Sequence, residues 1–344
     1  MDEDTFLTAV YCIVDDLYQT HCAPHKPRRP GAKATVSDSE VLTLALLAQW
    51  HPSRQESAVL RFAHRHWRGY FPRLLSQSAF NRRCRDLWGT LAVMSTHLAD
   101  QITAWGGGET IHAVLDAVPV PLMRRCRGDH HRLCADEAAV GHGGSDKEWY
   151  YGMSLLTAVT DVGAITGWLT APANTDVRWS AEALLRWRHD PAASPPTVAQ
   201  LADVLPPSHR KGGKRRGPTG PLAPSLTVGH AADDLLVADR AFRGAEWRDH
   251  WRQQYHAAVL TRADYAHGNR EEQRQWGIWL SSFRQVTEQV NQALTTVFGL
   301  PFPHARSWWG LLTRVGAKIT AHNLSLLLNL HVGLPPFTTF HPFG

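Results

Sequence analysis

The chain reads as an α/β protein, with a mixed five-stranded sheet flanked by helices and an all-α domain in front of it. Three observations predict this. Up to about residue 105, apolar residues recur at helical spacing. Gly106-Gly107-Gly108 interrupts that pattern, and from Ile111 onward short apolar runs of strand length alternate with helical stripes. The resulting order, β-β-β-α-β-α-β-α, opens with neighbours that can pair antiparallel and continues with crossovers. It therefore predicts a mixed sheet with helices on both faces. The boundaries expected are 1–105 for the helical domain, 106–334 for the sheet domain and 335–344 for a tail.

Phe6, Val10, Ile13, Val14 and Leu17 form a helical stripe within residues 4–22. A loop with four cations and no acid, His25 to Lys33, follows it. Ser37-Asp38-Ser39-Glu40 has the spacing of a capping box and opens an apolar helix to Trp50. Glu56–His66 is a further helix, and Ser76-Gln77-Ser78 starts a longer one running towards Ile102. The later helices carry Arg, and short basic helices joined by tight turns suit docking on DNA.

In the sheet domain, Ile111–Val118 is the first strand, apolar enough to be buried on both faces, with Pro119 and Pro121 expected to end it. A polar, His-rich excursion covers 124–146. Trp149–Val159 and Ala164–Thr170 are the next strands, joined by the turn Thr160-Asp161-Val162-Gly163. Residues 177–188 read as a helix. Residues 206–224 are rich in Pro, Gly, Lys and Arg and read as a mobile basic loop. Leu235–Asp239 is the fourth strand, 244–254 a helix, and His256–Thr261 the fifth strand. Two helices, 276–298 and 305–330, complete the domain.

The 36 basic residues exceed the 31 acidic ones by five, and the excess is clustered. From His51 to Asp100 there are eight Arg against three acids, and Arg210–Arg216 holds five cations and none. Clustered cations point to a polyanion, most simply nucleic acid. Five cysteines without a CxxC spacing argue against a disulfide framework and for a reducing compartment. No apolar run has the length of a membrane span, and Met1-Asp2-Glu3-Asp4 does not read as a signal peptide. The expected location is cytoplasmic, associated with the nucleoid.

A bare carboxylate inside an apolar strand is costly unless it is paired. Asp116 therefore takes a hydrogen bond or an Arg, or it holds a metal ion. Asp239 ends the fourth strand, where open α/β sheets place their sites, or it caps the following helix. If the first and fourth strands are adjacent, the two carboxylates repel each other, and divalent cations would relieve them. Glu288 leads the candidates for a third oxygen ligand, although it lies opposite the apolar stripe of its helix. Glu271 or Glu272 is the runner-up. Arg284, one turn before Glu288, could hold the carboxylate or touch a phosphate.

These residues carry a resemblance. Val14-Asp15-Asp16, Ser37–Leu42, Ser76–Arg83, LDAVPVPL around Asp116, WYYGMSL from Trp149, APANTD from Ala171, VADRAFRG around Asp239, Arg284-x3-Glu288 and AKITAHNLSLLLN from Ala317 follow one another in register. Together they resemble a bacterial insertion-sequence transposase of the DDE class over nearly the whole chain. Related families often carry a Tyr and a Lys where this chain has Ser281 and Thr295, and a bulky apolar residue where it has Thr287.

The resemblance implies an RNase H-like catalytic domain in which Asp116, Asp239 and Glu288 hold two Mg²⁺ (or Mn²⁺) ions. The reaction implied is cleavage of the transposon ends and joining of their 3′ ends to target DNA, with one phosphate clamped between metals about 4 Å apart. Arg240, Arg243, Arg284 and Lys147 are candidate phosphate contacts, and Arg82, Arg83, Lys211, Lys214, Arg215 and Arg216 candidate DNA contacts. The partner implied is double-stranded DNA, terminal inverted repeats and target alike, bound by a homodimer and with no membrane. The alternatives are an inactive or domesticated transposase-like DNA-binding protein and a related nuclease. Cys126, His130, His131 and Cys134 fall within nine residues, but their spacing matches no zinc finger or ribbon and reads better as a polar insertion.

Overall fold

The computed structural model describes residues 2–26, 34–53, 55–105, 112–128, 133–143, 148–190, 235–261 and 269–338. They divide into two compact units, one of residues 1–102 with 292–344, the other of residues 103–291.

The first unit contains α1 (Glu3–Leu17), α2 (Asp38–Trp50), α3 (Glu56–His66), α4 (Gln77–Asp86), α5 (Trp88–Trp105) and the chain's last helix, α10 (Trp308–His331). Ser37 and Glu40 form the expected capping box at the start of α2. The single helix expected from Ser76 is two. The Leu87 N–H turns back to the Arg83 and Cys84 carbonyls, closing α4 while Leu87 itself is buried. Buried Asp38 accepts from Tyr18 Oη at 2.5 Å and pairs with Lys26 and Arg83, tying the segment that follows α1, and α4, to α2.

The last helix departs from the sequence-based boundary, which grouped it with the sheet. α10 is buried from Gly310 to Asn329 except at Arg314, and its buried polar residues find partners on the N-terminal helices and within its own segment. Thr320 donates to the Leu91 carbonyl at 2.8 Å and Asn323 to that of Ser95 at 3.0 Å. Lys318 reaches Gln49 Oε1 at 3.0 Å and the Phe298 carbonyl at 2.5 Å. A buried ammonium or amide costs several kcal/mol without such partners, so these bonds determine which surface α10 covers.

The second unit is built on a mixed sheet of six strands: β1 (His112–Arg124), β2 (Ala139–Gly143), β3 (Glu148–Thr160), β4 (Ile165–Pro172), β5 (Leu235–Ala238) and β6 (Ala258–Leu260). β1 is antiparallel to β3 and parallel to β5, and β5 is parallel to β6. β2 and β4 occupy successive stretches of the other edge of β3. Among the described residues the helices of this unit are the single turn α6 (Arg125–Gly128), α7 (Val177–His189), α8 (Ala245–Tyr255) and α9 (Arg270–Gln292).

Two expectations need correction. The sheet has a sixth strand, because Ala139–Gly143 in the polar excursion pairs with Glu148–Gly152. The prolines do not end β1, which pairs with β3 through Pro119↔Ser154 and Pro121↔Gly152. Pro119 and Pro121 are two apart and so share one edge. β5 covers that edge only from His112 to Leu115, so the missing N–H groups cost no ladder bond there. Gly152 is required where the register shifts at Pro121/Met123, since a Cβ would lie 2.3 Å from the Val120 carbonyl oxygen.

Strand alternation sorts the two faces. Ala113, Leu115, Leu236 and Ala238 pack under α7 and α8. Val114 and Val237 face the other way, against Leu280, Trp276, Trp279 and Phe283 of α9. Buried Glu182 fastens α7 to α8 by accepting from Trp251 Nε1 at 2.9 Å and Tyr255 Oη at 2.5 Å, with His250 Nε2 at 3.1 Å.

Candidate functional site

Asp116 shares the parity of Val114, and Asp239 that of Val237. Both therefore belong to the face that α9 covers. The parallel register sets Leu115 opposite Ala238, so Asp116 and Asp239 follow one another on adjacent strands at the carboxyl end of β5. Parallel neighbours lie about 4.8 Å apart. The two acids, 123 positions apart in the chain, are thus brought together as the sequence predicts.

Each carboxylate is oriented locally. Asp116 Oδ1 accepts from the Ala117 N–H at 2.9 Å, and Asp239 Oδ1 from the Arg240 N–H at 2.6 Å, where Asp239 caps a turn of 3-10 helix. Burial pushes the Asp116 carboxyl above the ordinary carboxylate range. The charge of Asp239 adds to that shift, while the donors from Ala117 and Asn291 and the Arg284 cation oppose it.

α9 supplies the rest. Leu280, Thr287 and Val290 are its buried residues, and Arg284, Glu288 and Asn291, spaced four and three apart, share a neighbouring strip of its surface. Arg284 Nη1 lies 3.9 Å from Asp239 Oδ1 and its Nη2 lies 3.9 Å from Glu288 Oε1, so the guanidinium stands between the two acids. Asn291 Nδ2 donates to Asp116 Oδ2 at 2.8 Å. Thr287, where related families favour a bulky apolar side chain, is 2% exposed and bonds the Phe283 carbonyl.

Glu288 itself is 69% exposed and touches the site only through Arg284. Among the described residues, no three His, Cys, Asp or Glu side chains gather closely enough to hold a metal together. The donor chemistry nevertheless suits a hard divalent cation. The ligands would be carboxylate oxygens, and the two paired acids include one whose charged form is disfavoured by burial and by its neighbour. Asp116 and Asp239 would be the first pair of ligands, and Glu288 the third.

The remaining candidates are scattered. Arg240 and Arg243 are exposed on the turn after Asp239 and form no ion pair among the described residues. Arg82 is exposed on α4, but Arg83 is engaged by Asp38 and is part of the first unit's framework. Lys147, Lys211, Lys214, Arg215 and Arg216 lie outside the described residues, as do His130 and His131 of the cysteine-histidine cluster. Glu271 and Glu272 sit in the first turn of α9, where Glu272 and Asn269 cap one another at 2.8 and 3.2 Å. Sequence reasoning missed Asn291. Its spacing from Arg284 and Glu288 was the available signal.

Among the described residues no helix is long and apolar enough to cross a membrane. Compared with family models, curated proteins and solved structures, the chain returns no match.

Proposed function

We propose that the chain is a DDE-type transposase with an RNase H-like second unit, acting on double-stranded DNA as a homodimer that brings two ends together. The observation that carries this reading is the Leu115↔Ala238 register, which pairs Asp116 with Asp239 beneath a helix carrying Arg284, Glu288 and Asn291. The strand order, with β1 between an antiparallel β3 and a parallel β5, supports the RNase H-like assignment.

Asp116, Asp239 and Glu288 would hold Mg²⁺ or Mn²⁺. When bound, such ions activate the attacking hydroxyl and stabilise the leaving oxygen of an in-line phosphoryl transfer. The chain's own groups do the positioning. Asn291 and the Ala117 N–H fix the rotation of the Asp116 carboxylate, leaving its remaining lone pairs for a ligand. Arg284 is exposed enough to move from the acids to a phosphate oxygen. Arg240 and Arg243, beside Asp239, contribute charge for the approaching backbone.

One observation favours a second reading, a transposase-like DNA-binding protein without catalysis: Arg284 already lies 3.9 Å from both Asp239 and Glu288, and Glu288 stands off from the pair. Strand cleavage decides between them. A duplex carrying the inverted repeats that flank the gene is incubated with the chain, with and without Mg²⁺. The transposase reading expects Mg²⁺-dependent cutting that Asp116→Asn and Asp239→Asn abolish. Equal cutting by wild type and Asp116→Asn would remove Asp116 from the chemistry, and binding without cutting under any metal would establish the second reading.

A further inference from the structure

A second charged site lies within the first unit. A cavity of about 530 Å³ is bounded by the first turns of α3, α4 and α10 and by the residues just before α10. Three guanidinium groups line it: Arg85 on α4, Arg306 before α10, and Arg314 on α10. The acid in its lining, Glu56, is already satisfied. Asn81 Nδ2 donates to both its oxygens, at 3.0 and 2.9 Å, and Arg314 Nη2 meets Oε1 at 2.7 Å. Arg314 is held in turn by the Pro303 carbonyl at 3.2 Å. Arg85 and Arg306 form no ion pair among the described residues. With three cations and one acid, the cavity carries a net charge of +2 before His304, which also lines it, is counted.

The backbone adds to this field. Gln55 opens α3 without a side-chain cap, and Gln55, Glu56 and Ser57 line the cavity, so the positive end of an eleven-residue helix lies at its wall beside the guanidiniums. Guanidiniums, a helix amino end and a neutralised carboxylate together select an anion with several acceptor oxygens. The volume exceeds what a bare oxyanion fills and leaves room for the sugar on each side of a phosphodiester.

We propose that this cavity binds a backbone phosphate of DNA, with Arg85 and Arg306 as its direct contacts and Arg314, held by Glu56, as the fixed third charge. This deepens the proposed function, on which its choice of ligand rests, by naming where DNA would touch the first unit.

The test measures binding of the full chain to a 20-base-pair duplex in EDTA, across a range of NaCl concentrations. The double variant Arg85→Gln/Arg306→Gln is compared with wild type and with Arg65→Gln, an exposed arginine outside the cavity. The expected result is a log-log salt slope shallower by about one to two in the double variant, with affinity at 150 mM salt down about tenfold. Melting should be unchanged, and Arg306→Gln alone, at an exposed position, should show about half of the slope change. A double variant whose slope and affinity match Arg65→Gln would overturn the proposal. Inorganic phosphate separates the two sources of the anion. If it raises the melting temperature of wild type but not of the double variant, while duplex binding is the same in both, the cavity takes free phosphate and the DNA assignment falls. Cleavage is scored separately with Mg²⁺. No cleavage with the slope change intact leaves the cavity standing and removes only the catalytic reading; cleavage with an unchanged slope does the reverse.

Discussion

Asn291 donates its amide N–H to the inner carboxylate of Asp116 at 2.8 Å, across 175 positions of sequence. The bond joins the end of α9 to the middle of β1, and it favours the charged form of an acid that burial pushes towards its neutral form. A single amide thus ties the seating of α9 to the ionisation of the site.

Asn291→Ala should therefore act in two ways. Loss of a hydrogen bond to a carboxylate costs about 1.5 kcal/mol, read by urea unfolding near pH 7. Without that donor the Asp116 carboxyl rises further, so the acidic limb of the cleavage-rate profile should move to higher pH. An unmoved limb would mean the amide only packs.

Asp116→Asn carries a pH signature in stability. A carboxyl whose folded value is raised binds more protons folded than unfolded, so its contribution is most favourable below the ordinary carboxylate range and is lost as pH rises through the raised value. The melting temperature of Asp116→Asn relative to wild type should accordingly climb between pH 4 and pH 8, by about 2 °C or more. A difference flat with pH would count against the environment described for this residue.

Asp38 should behave in the opposite sense. Burial alone would raise it, but the donors from Lys26, Tyr18 and Arg83 outweigh burial and hold its carboxyl below the ordinary range. Its stabilisation is complete above the ordinary range and is lost as pH falls through the lowered value. Asp38→Asn should cost about 2–3 kcal/mol at pH 7, because it leaves Arg83 without its counter-charge, and the deficit should shrink in acid.

Divalent metal offers a test independent of turnover. If Asp116 and Asp239 are ligands, Mg²⁺ at tenfold over its dissociation constant stabilises wild type by about 1.4 kcal/mol. Asp116→Asn and Asp239→Asn should lose that increment. Glu288→Gln should leave metal-free melting unchanged, since the side chain is 69% exposed, while weakening Mg²⁺ binding by about tenfold or more.

The pairing of Asp116 with Asp239 was legible in the sequence because each follows a short apolar run, and alternation then assigns both to one face. The capping box at Ser37 and the extent of α3 were legible for equally local reasons. Where neighbours decide, the sequence was silent. Ala139-Val140-Gly141-His142-Gly143 has little strand character of its own and is extended because part of the β3 edge is free to pair. Pro119 and Pro121 look like a stop until that side of β1 is known to lack a partner beyond Leu115. The apolar surface of α10 announces burial without naming what buries it. Arg83 resembles any other cation of its cluster until Asp38 claims it.

The alternation beneath the two aspartates is a condition of parity. Substitutions that respect the in-out pattern of β1 and β5 can change the volume of Val114, Val237 or Leu236 and still present both acids to α9. Displacing either strand by a single position would send its aspartate through to the side occupied by α7 and α8. A frame error of one residue is therefore more damaging here than the loss of several methyl groups, and it would act without touching an acidic residue.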